Sequence, residues 1–353
     1  MTTASPLPLT ILGFLAGVGT AAGVVRLIRR RDRHAARGRG TELSEALAAF
    51  LAARLESEAL AAIAEDADPG TFWTALESVE GGPETRRRLG TALGACAAVE
   101  AECLALRDDS PWRRELAARR VGLLDTSATR EALLGALAEG PEPVTAAAAL
   151  GLARLGEARA LRWVLDHPAA LGHRTPRARV ALFRAFGPQA LPVLAGALET
   201  CVDPRQTVAI VETLGLAPFA DARHAIERRL ADPDLEVRVA AARALGRIGR
   251  DDAGSALAAA LRDEAWPVRA QAAWALGRTR APIGILALPP RLTDSSWWVR
   301  HHAARALAAL GEMGVAELRA IAGGSPDPFA RDTARAALER VTRSRRQAAA
   351  GEG

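Results

Sequence analysis

The chain has 353 residues, 49% apolar and 25% charged, with 46 basic side chains against 41 acidic ones, 31 Gly, 20 Pro and 3 Cys. That composition excludes disordered, collagen-like and disulfide-built proteins, and Cys96, Cys103 and Cys201 offer no CxxC spacing for zinc or thiol redox chemistry. Lys, Asn and Tyr are absent, which fits a GC-rich genome, so the abundance of Arg says less than its placement.

The formal charge is +5, and residues 26–39 alone carry seven Arg against Asp32, a surplus of 6 that leaves the remainder at −1. A nucleic-acid binder needs a basic stripe over its folded surface, and a near-neutral body excludes one. The cations instead follow an uncharged run of 19 residues, Leu7 to Val25. As a helix that run measures about 28 Å, close to the roughly 30 Å of a bilayer's hydrocarbon core. Residues 1–28 are therefore read as a transmembrane anchor and 29–40 as a basic linker, with Arg26, Arg29, Arg30, Arg31 and Arg33 at the membrane interface. Arginines on the C-terminal side place that side in the cytoplasm, so the expected topology is a single pass of the inner membrane with the N-terminus outside. Gly13 with Gly17, and Gly19 with Gly23, are spaced to let two such helices pack as a homodimer. A secretory signal would need its basic residues before the apolar run, and Met1 to Pro8 has none. The GxGxxxG of Gly17, Gly19 and Gly23 is not a dinucleotide loop, because arginines fill the place where an acid-ended second strand should follow.

Residues 41–82 are read as an N-terminal helical cap. Thr41 to Asp66 forms one helix in this reading, with Leu43, Leu47, Phe50, Leu51, Leu55 and Ile63 on its apolar face and Thr41 as N-cap. From residue 83 to 341 the sequence repeats. LEVRVAAARALGRIG (235–249), WPVRAQAAWALGRTR (266–280), WWVRHHAARALAALG (297–311) and PFARDTARAALERV (328–341) align without gaps at 31-residue spacing. Arg238, Arg269, Arg300 and Arg331 fall on one frame, and Leu245, Leu276, Leu307 and Leu338 on another. Upstream the frame persists with small slips through 206–215, 177–187, 144–156 and 113–124. A second helix follows each of these, so the unit is helix, turn, helix. Such a pair buries its apolar face only against a neighbouring copy, which predicts an all-α fold, an α-α superhelix, preceded by the single transmembrane helix. The end, 342–353, reads as a disordered tail.

The string Asp232, Val237, Arg238, Ala241, Ala242, Leu245, Gly246 resembles the HEAT repeat, especially its short bacterial form. The resemblance implies a curved right-handed superhelix that binds other macromolecules, and names no partner. Two enzyme groups share the repeat, bilin lyases and alkylpurine DNA glycosylases, and a membrane span argues against both. The HE dipeptides of iron-binding relatives are missing.

No residue is assigned to catalysis, cofactor or metal. His301 and His302 are adjacent, so their side chains diverge by about 100° on a helix and cannot share one ion; phosphate loops and GxSxG elbows are absent. Asp232, Asp263 and Asp294 precede Arg238, Arg269 and Arg300 by six. With Arg331 they are read as a structural ladder in which each Asp caps a helix and pairs with an Arg of the same or the next repeat. Pro289 and Pro290 should interrupt the second helix of their unit. Trp297, Trp298, Arg300 and His301 lie in the irregular stretch 286–302, Trp266 stands one period before Trp297, and Trp274 takes a place held by Arg243 and Arg305 in adjacent repeats, which marks it as exposed. These six are the expected partner-binding residues, since Trp and Arg anchor protein interfaces; core wedging is the alternative for Trp266 and Trp297. The expected function is an adaptor holding a protein partner beside the membrane. A bilin-lyase-type enzyme and a soluble HEAT-repeat regulator are the alternatives.

Overall fold

In the computed structural model, residues 40–172, 174–217, 219–249 and 251–351 are described. The apolar run, Arg26, Arg29, Arg30, Arg31, Arg33 and the glycine pairs lie outside them. Among the described residues every regular element is helical, and no single helix is long and apolar enough to cross a membrane. Contacts divide the chain into two units, one ending at Leu155 and one beginning at Gly156.

The first unit contains α1 (40–51), α2 (Ser57–Glu65), α3 (Pro69–Glu77), α4 (Pro83–Leu93), α5 (Ala97–Ala105), α6 (Pro111–Val121), α7 (Ser127–Glu139) and α8 (Glu142–Arg154). The single helix expected over 41–66 is two helices. Arg88 donates from Nη2 to the Phe50 carbonyl at 2.8 Å and from Nη1 to that of Leu51 at 3.2 Å. Those carbonyls belong to the last turn of α1, whose orphan acceptors need donors from outside the helix, and the chain then turns through Ala53 at φ 56°. Thr41 already lies inside α1 and is not its cap. Leu43, Leu47, Phe50, Leu60, Phe72, Trp73, Leu89 and Leu93 make one core under α1 to α5, with the Phe72 and Trp73 rings edge to face at 5.0 Å.

The second unit contains α9 (Ala158–Asp166), α10 (Pro176–Ala185), α11 (Leu191–Thr200), α12 (Pro204–Leu216), α13 (Arg223–Arg228), α14 (Leu235–Ile248), α15 (Gly254–Ala260), α16 (Trp266–Thr279), α17 (Gly284–Ala287), α18 (Trp297–Ala309), α19 (Glu312–Gly324) and α20 (Pro328–Gly351). Within it α10, α12, α14, α16, α18 and α20 pack each on the next, and shorter second helices pack beside them. The layers are thin because glycine faces alanine across the seam. A Cβ placed on Gly246 would come within 2.9 Å of Ala275 Cα, and one on Gly277 within 2.7 Å of Ala306 Cα, closer than any side chain tolerates. Pro289 and Pro290 interrupt the second helix as expected: α17 has four residues and gives way to a 3-10 turn at Pro289–Thr293. At the other end α20 runs to Gly351, into the stretch read from sequence as tail; Arg, Gln and Ala in 343–350 are strong helix formers.

Candidate protein-interaction face

The ladder fixes how successive repeats of the second unit meet. Arg238 grips the Asp263 carboxylate with Nε at 2.9 Å and Nη2 at 3.2 Å. Arg269 grips Asp294 with the same two nitrogens at 2.8 and 2.9 Å. In both, Nη1 donates to the two carbonyls of the loop just before its own helix, those of Asp232 and Pro233 for Arg238 and of Asp263 and Glu264 for Arg269. One guanidinium therefore ties its own loop to the loop of the following repeat, using the planar fork that suits Arg to bidentate pairing.

The ladder aspartates do not cap helices as the spacing suggested. Asp232, Asp263 and Asp294 accept from the backbone N–H two residues on, at Asp234, Ala265 and Ser296, and those later residues are the N-caps. The carboxylate needs its second oxygen edge for Arg, so it shapes the turn before the helix. Burial pushes the Asp294 carboxyl up, but Arg269, the Ser296 N–H and the charge of Arg291 together hold it below the usual carboxylate value. Arg331 keeps the loop contacts, with Nη1 on the Ser325 carbonyl at 2.7 Å and that of Pro326 at 3.0 Å.

Past the ladder, the first turn of α18 carries aromatic rings. Trp297 and Trp298 meet edge to face at 4.8 Å, Trp297 stacks on His301 at 4.8 Å and Trp298 on His302 at 6.4 Å. These are i, i+4 pairs, neighbours on one helix face. Both tryptophans remain 51% exposed, and Phe329 on α20 is 63% exposed. The Arg300 guanidinium lies 5.1 Å from the centre of the Phe329 ring, a cation–π distance. Burial lowers the pKa of His301, as do the charges of Arg340, His302 and Arg305, and burial with Arg305 lowers that of His302. The patch is thus apolar, with the positive charges of Arg305 and Arg340 close to its His301 edge.

The six expected partner-binding residues divide. Trp297, Trp298, Arg300 and His301 come together on α18. Trp266 stands one repeat earlier on α16 and is 46% exposed. Trp274 is half-buried, not exposed: a Cβ on Gly246 would lie 2.6 Å from its Cζ3, so the indole leans on the preceding repeat. Arg243 at the equivalent place also reaches backward, to Glu212 at 2.9 Å, so tolerance of Arg marked a cross-repeat position. Sequence reasoning missed Phe329, although it lies one 31-residue period after Trp298. It also passed over His302 as a packing partner.

Elsewhere, a cavity of about 590 Å³ in the first unit is lined by Cys103, Leu104, Arg114 and Glu139 among others. One of about 720 Å³ in the second unit is lined by Arg179, Asp203 and Arg205 among others. Among the described residues no group of three or more His, Cys, Asp or Glu is placed to hold a metal ion.

None of the curated proteins compared with the chain matches it. Solved structures similar to it include an engineered protein at 20% identity, covering 78% of this chain and 96% of that one with a TM-score of 0.36. Human deoxyhypusine hydroxylase is similar at 20% identity over 88% of this chain and 98% of its own, TM-score 0.31. The complex of CpcE and CpcF of phycocyanin lyase from Nostoc sp. is similar at 20% identity over 69% and 94%, TM-score 0.30. The family model for HEAT repeats matches residues 191–276 and 255–339. Both stretches lie within the second unit, from Gly156 on, and residues 191–339 of it carry HEAT repeats.

Proposed function

We propose that the chain is a scaffold that binds a protein partner on the α18–α20 face and is held at a membrane through residues 1–28. The observation that carries this reading is the half-exposed trio Trp297, Trp298 and Phe329, mounted on helices fixed by the repeat stack. Large aromatic side chains left in water on a rigid support are what protein interfaces use as anchors, because they lose little side-chain freedom on binding. The tether follows from the apolar run and the arginines after it. It would raise the local concentration of a membrane-bound partner, so that modest affinity suffices.

The test is affinity capture from detergent-solubilised membranes with the full chain and with a Trp297→Ala, Trp298→Ala variant. Loss of a specific partner in the variant is expected, and equal recovery of every partner overturns the reading of this face. Carbonate washing tests the tether separately: a chain held only by peripheral contacts is stripped off, an inserted one is not. No reaction is assigned in this proposal. A coloured covalent adduct on co-expression with a phycobiliprotein and its bilin would replace it with a lyase.

A further inference from the structure

The ladder stops one rung early. Asp263 lies 25 residues after Arg238, and Asp294 lies 25 after Arg269, but the residue 25 after Arg300 is Ser325. Arg300 keeps the first half of the arrangement, with Nη1 donating to the Asp294 carbonyl at 2.7 Å and that of Ser295 at 3.1 Å. Those two bonds aim its other edge, Nε and Nη2, toward the place where the earlier arginines meet a carboxylate. There Nε is buried with no hydrogen-bond partner, and no carboxylate pairs with the side chain among the described residues. Ser325 is too short and carries no charge; its Oγ accepts from the Asp327 N–H at 3.3 Å. The nearby acids are engaged, Asp294 by Arg269 and Asp327 by the Ala330 N–H. Phe329 lies over the guanidinium at 5.1 Å and is itself 63% exposed, so a small shift of its ring opens the fork and still leaves the ring beside it.

We propose that the Nε–Nη2 edge of Arg300 receives an aspartate or glutamate side chain from a partner peptide, with a neighbouring apolar side chain seated on Trp297 and Phe329. The choice of occupant follows from charge and shape. A pre-aimed guanidinium fork selects a planar carboxylate, Arg331, whose Nη1 donates to the Ser325 carbonyl at the empty rung, adds positive charge there that favours an acidic ligand, and the exposed rings of Phe329 and Trp297 select an apolar neighbour. The inference rests on the reading of this face as partner-binding, and gives that partner its chemistry.

The experiment is fluorescence anisotropy on the full chain with two labelled octapeptides, Gly-Ser-Leu-Asp-Ser-Leu-Gly-Ser and its Asn twin. The Asp peptide should bind tighter by about tenfold or more, the value of a charged hydrogen bond. Ser325→Asp supplies the missing carboxylate from within. It should bring the Asp peptide down to the affinity of its twin while leaving the melting temperature equal or higher, which separates blocked binding from failed folding. Arg300→Gln should remove the preference without that rise. Absent binding, equal binding of the two peptides, or undiminished binding to Ser325→Asp overturns the inference. If Trp297→Ala, Trp298→Ala loses its membrane partner while Ser325→Asp keeps it, the scaffold reading stands and the carboxylate site falls.

Discussion

The opening helices of the first unit and the regular repeats of the second use aromatic residues in opposite ways. In α1 to α5, Phe50, Phe72 and Trp73 are buried in a core of large side chains. From Pro204 onward no Trp or Phe is fully buried; Trp297, Trp298 and Phe329 stand more than half in water and Trp266 is 46% exposed. The repeats are close-packed on Ala, Leu, Val and Gly, with helix axes drawn together by the Gly–Ala seam, and a ring fits between such layers only where a glycine makes room, as Gly246 does for Trp274. Apart from Trp274, an aromatic of α16, α18 or α20 is therefore on the surface for a reason other than stability, whereas an aromatic in the cap is there to fill volume.

The largest effect expected from this difference is a contrast between two tryptophans. Trp73→Ala should lower stability by roughly 3–5 kcal/mol, through lost burial and the cavity left behind. Trp297→Ala, removed from a surface, should cost about 0.5 kcal/mol or less. Urea denaturation followed by circular dichroism measures both, and equal losses would erase the distinction. Next comes the ladder. Arg269→Ala leaves the Asp294 carboxylate half-buried without its partner, which should cost roughly 2–3 kcal/mol, while binding of any partner at α18 should change far less. A variant that loses affinity but keeps its urea midpoint would make the ladder a binding feature. Smaller again is the seam: Gly277→Val forces a side chain against Ala306 Cα, and overpacking of this kind costs about 1–3 kcal/mol. The same substitution at Gly323, where a Cβ meets nothing within 4 Å, should be close to neutral apart from helix propensity.

The repeats were legible because their period is physical. Each layer must present the same small and apolar positions to the next, so Arg238, Arg269 and Leu245, Leu276 recur at 31 residues and announce the stack. The missing rung was equally readable: Ser325 occupies the Asp frame, but a pattern draws the eye to its members and away from its first exception. What the sequence could not give was direction. Trp274 and Arg243 share a frame position that tolerates both because each reaches back to the preceding repeat, and only coordinates show which way a side chain leans. The cap was least legible. The break after α1 depends on Arg88, 37 residues away along the chain, and no local pattern encodes a carbonyl claimed from that distance.

The smallest effect belongs to the two histidines of the α18 face, and its sign follows from linkage. Burial lowers the pKa of both in the folded protein from the ordinary 6.5, with Arg340, His302 and Arg305 adding to it at His301 and Arg305 at His302. The unfolded chain therefore binds more protons than the folded one as pH falls through 6.5, and stability drops there until the folded histidines are themselves protonated. Asp294 acts elsewhere on the scale: its folded value lies below 3.8, so its contribution is intact at pH 5 and is lost only under stronger acid. The urea midpoint of the wild-type chain should thus decline from pH 7.5 to pH 5, and His301→Gln, His302→Gln should flatten part of that decline. If the double variant declines as steeply as the wild type, the histidines titrate as they would in water, and neither burial nor the arginines around them holds their charge off.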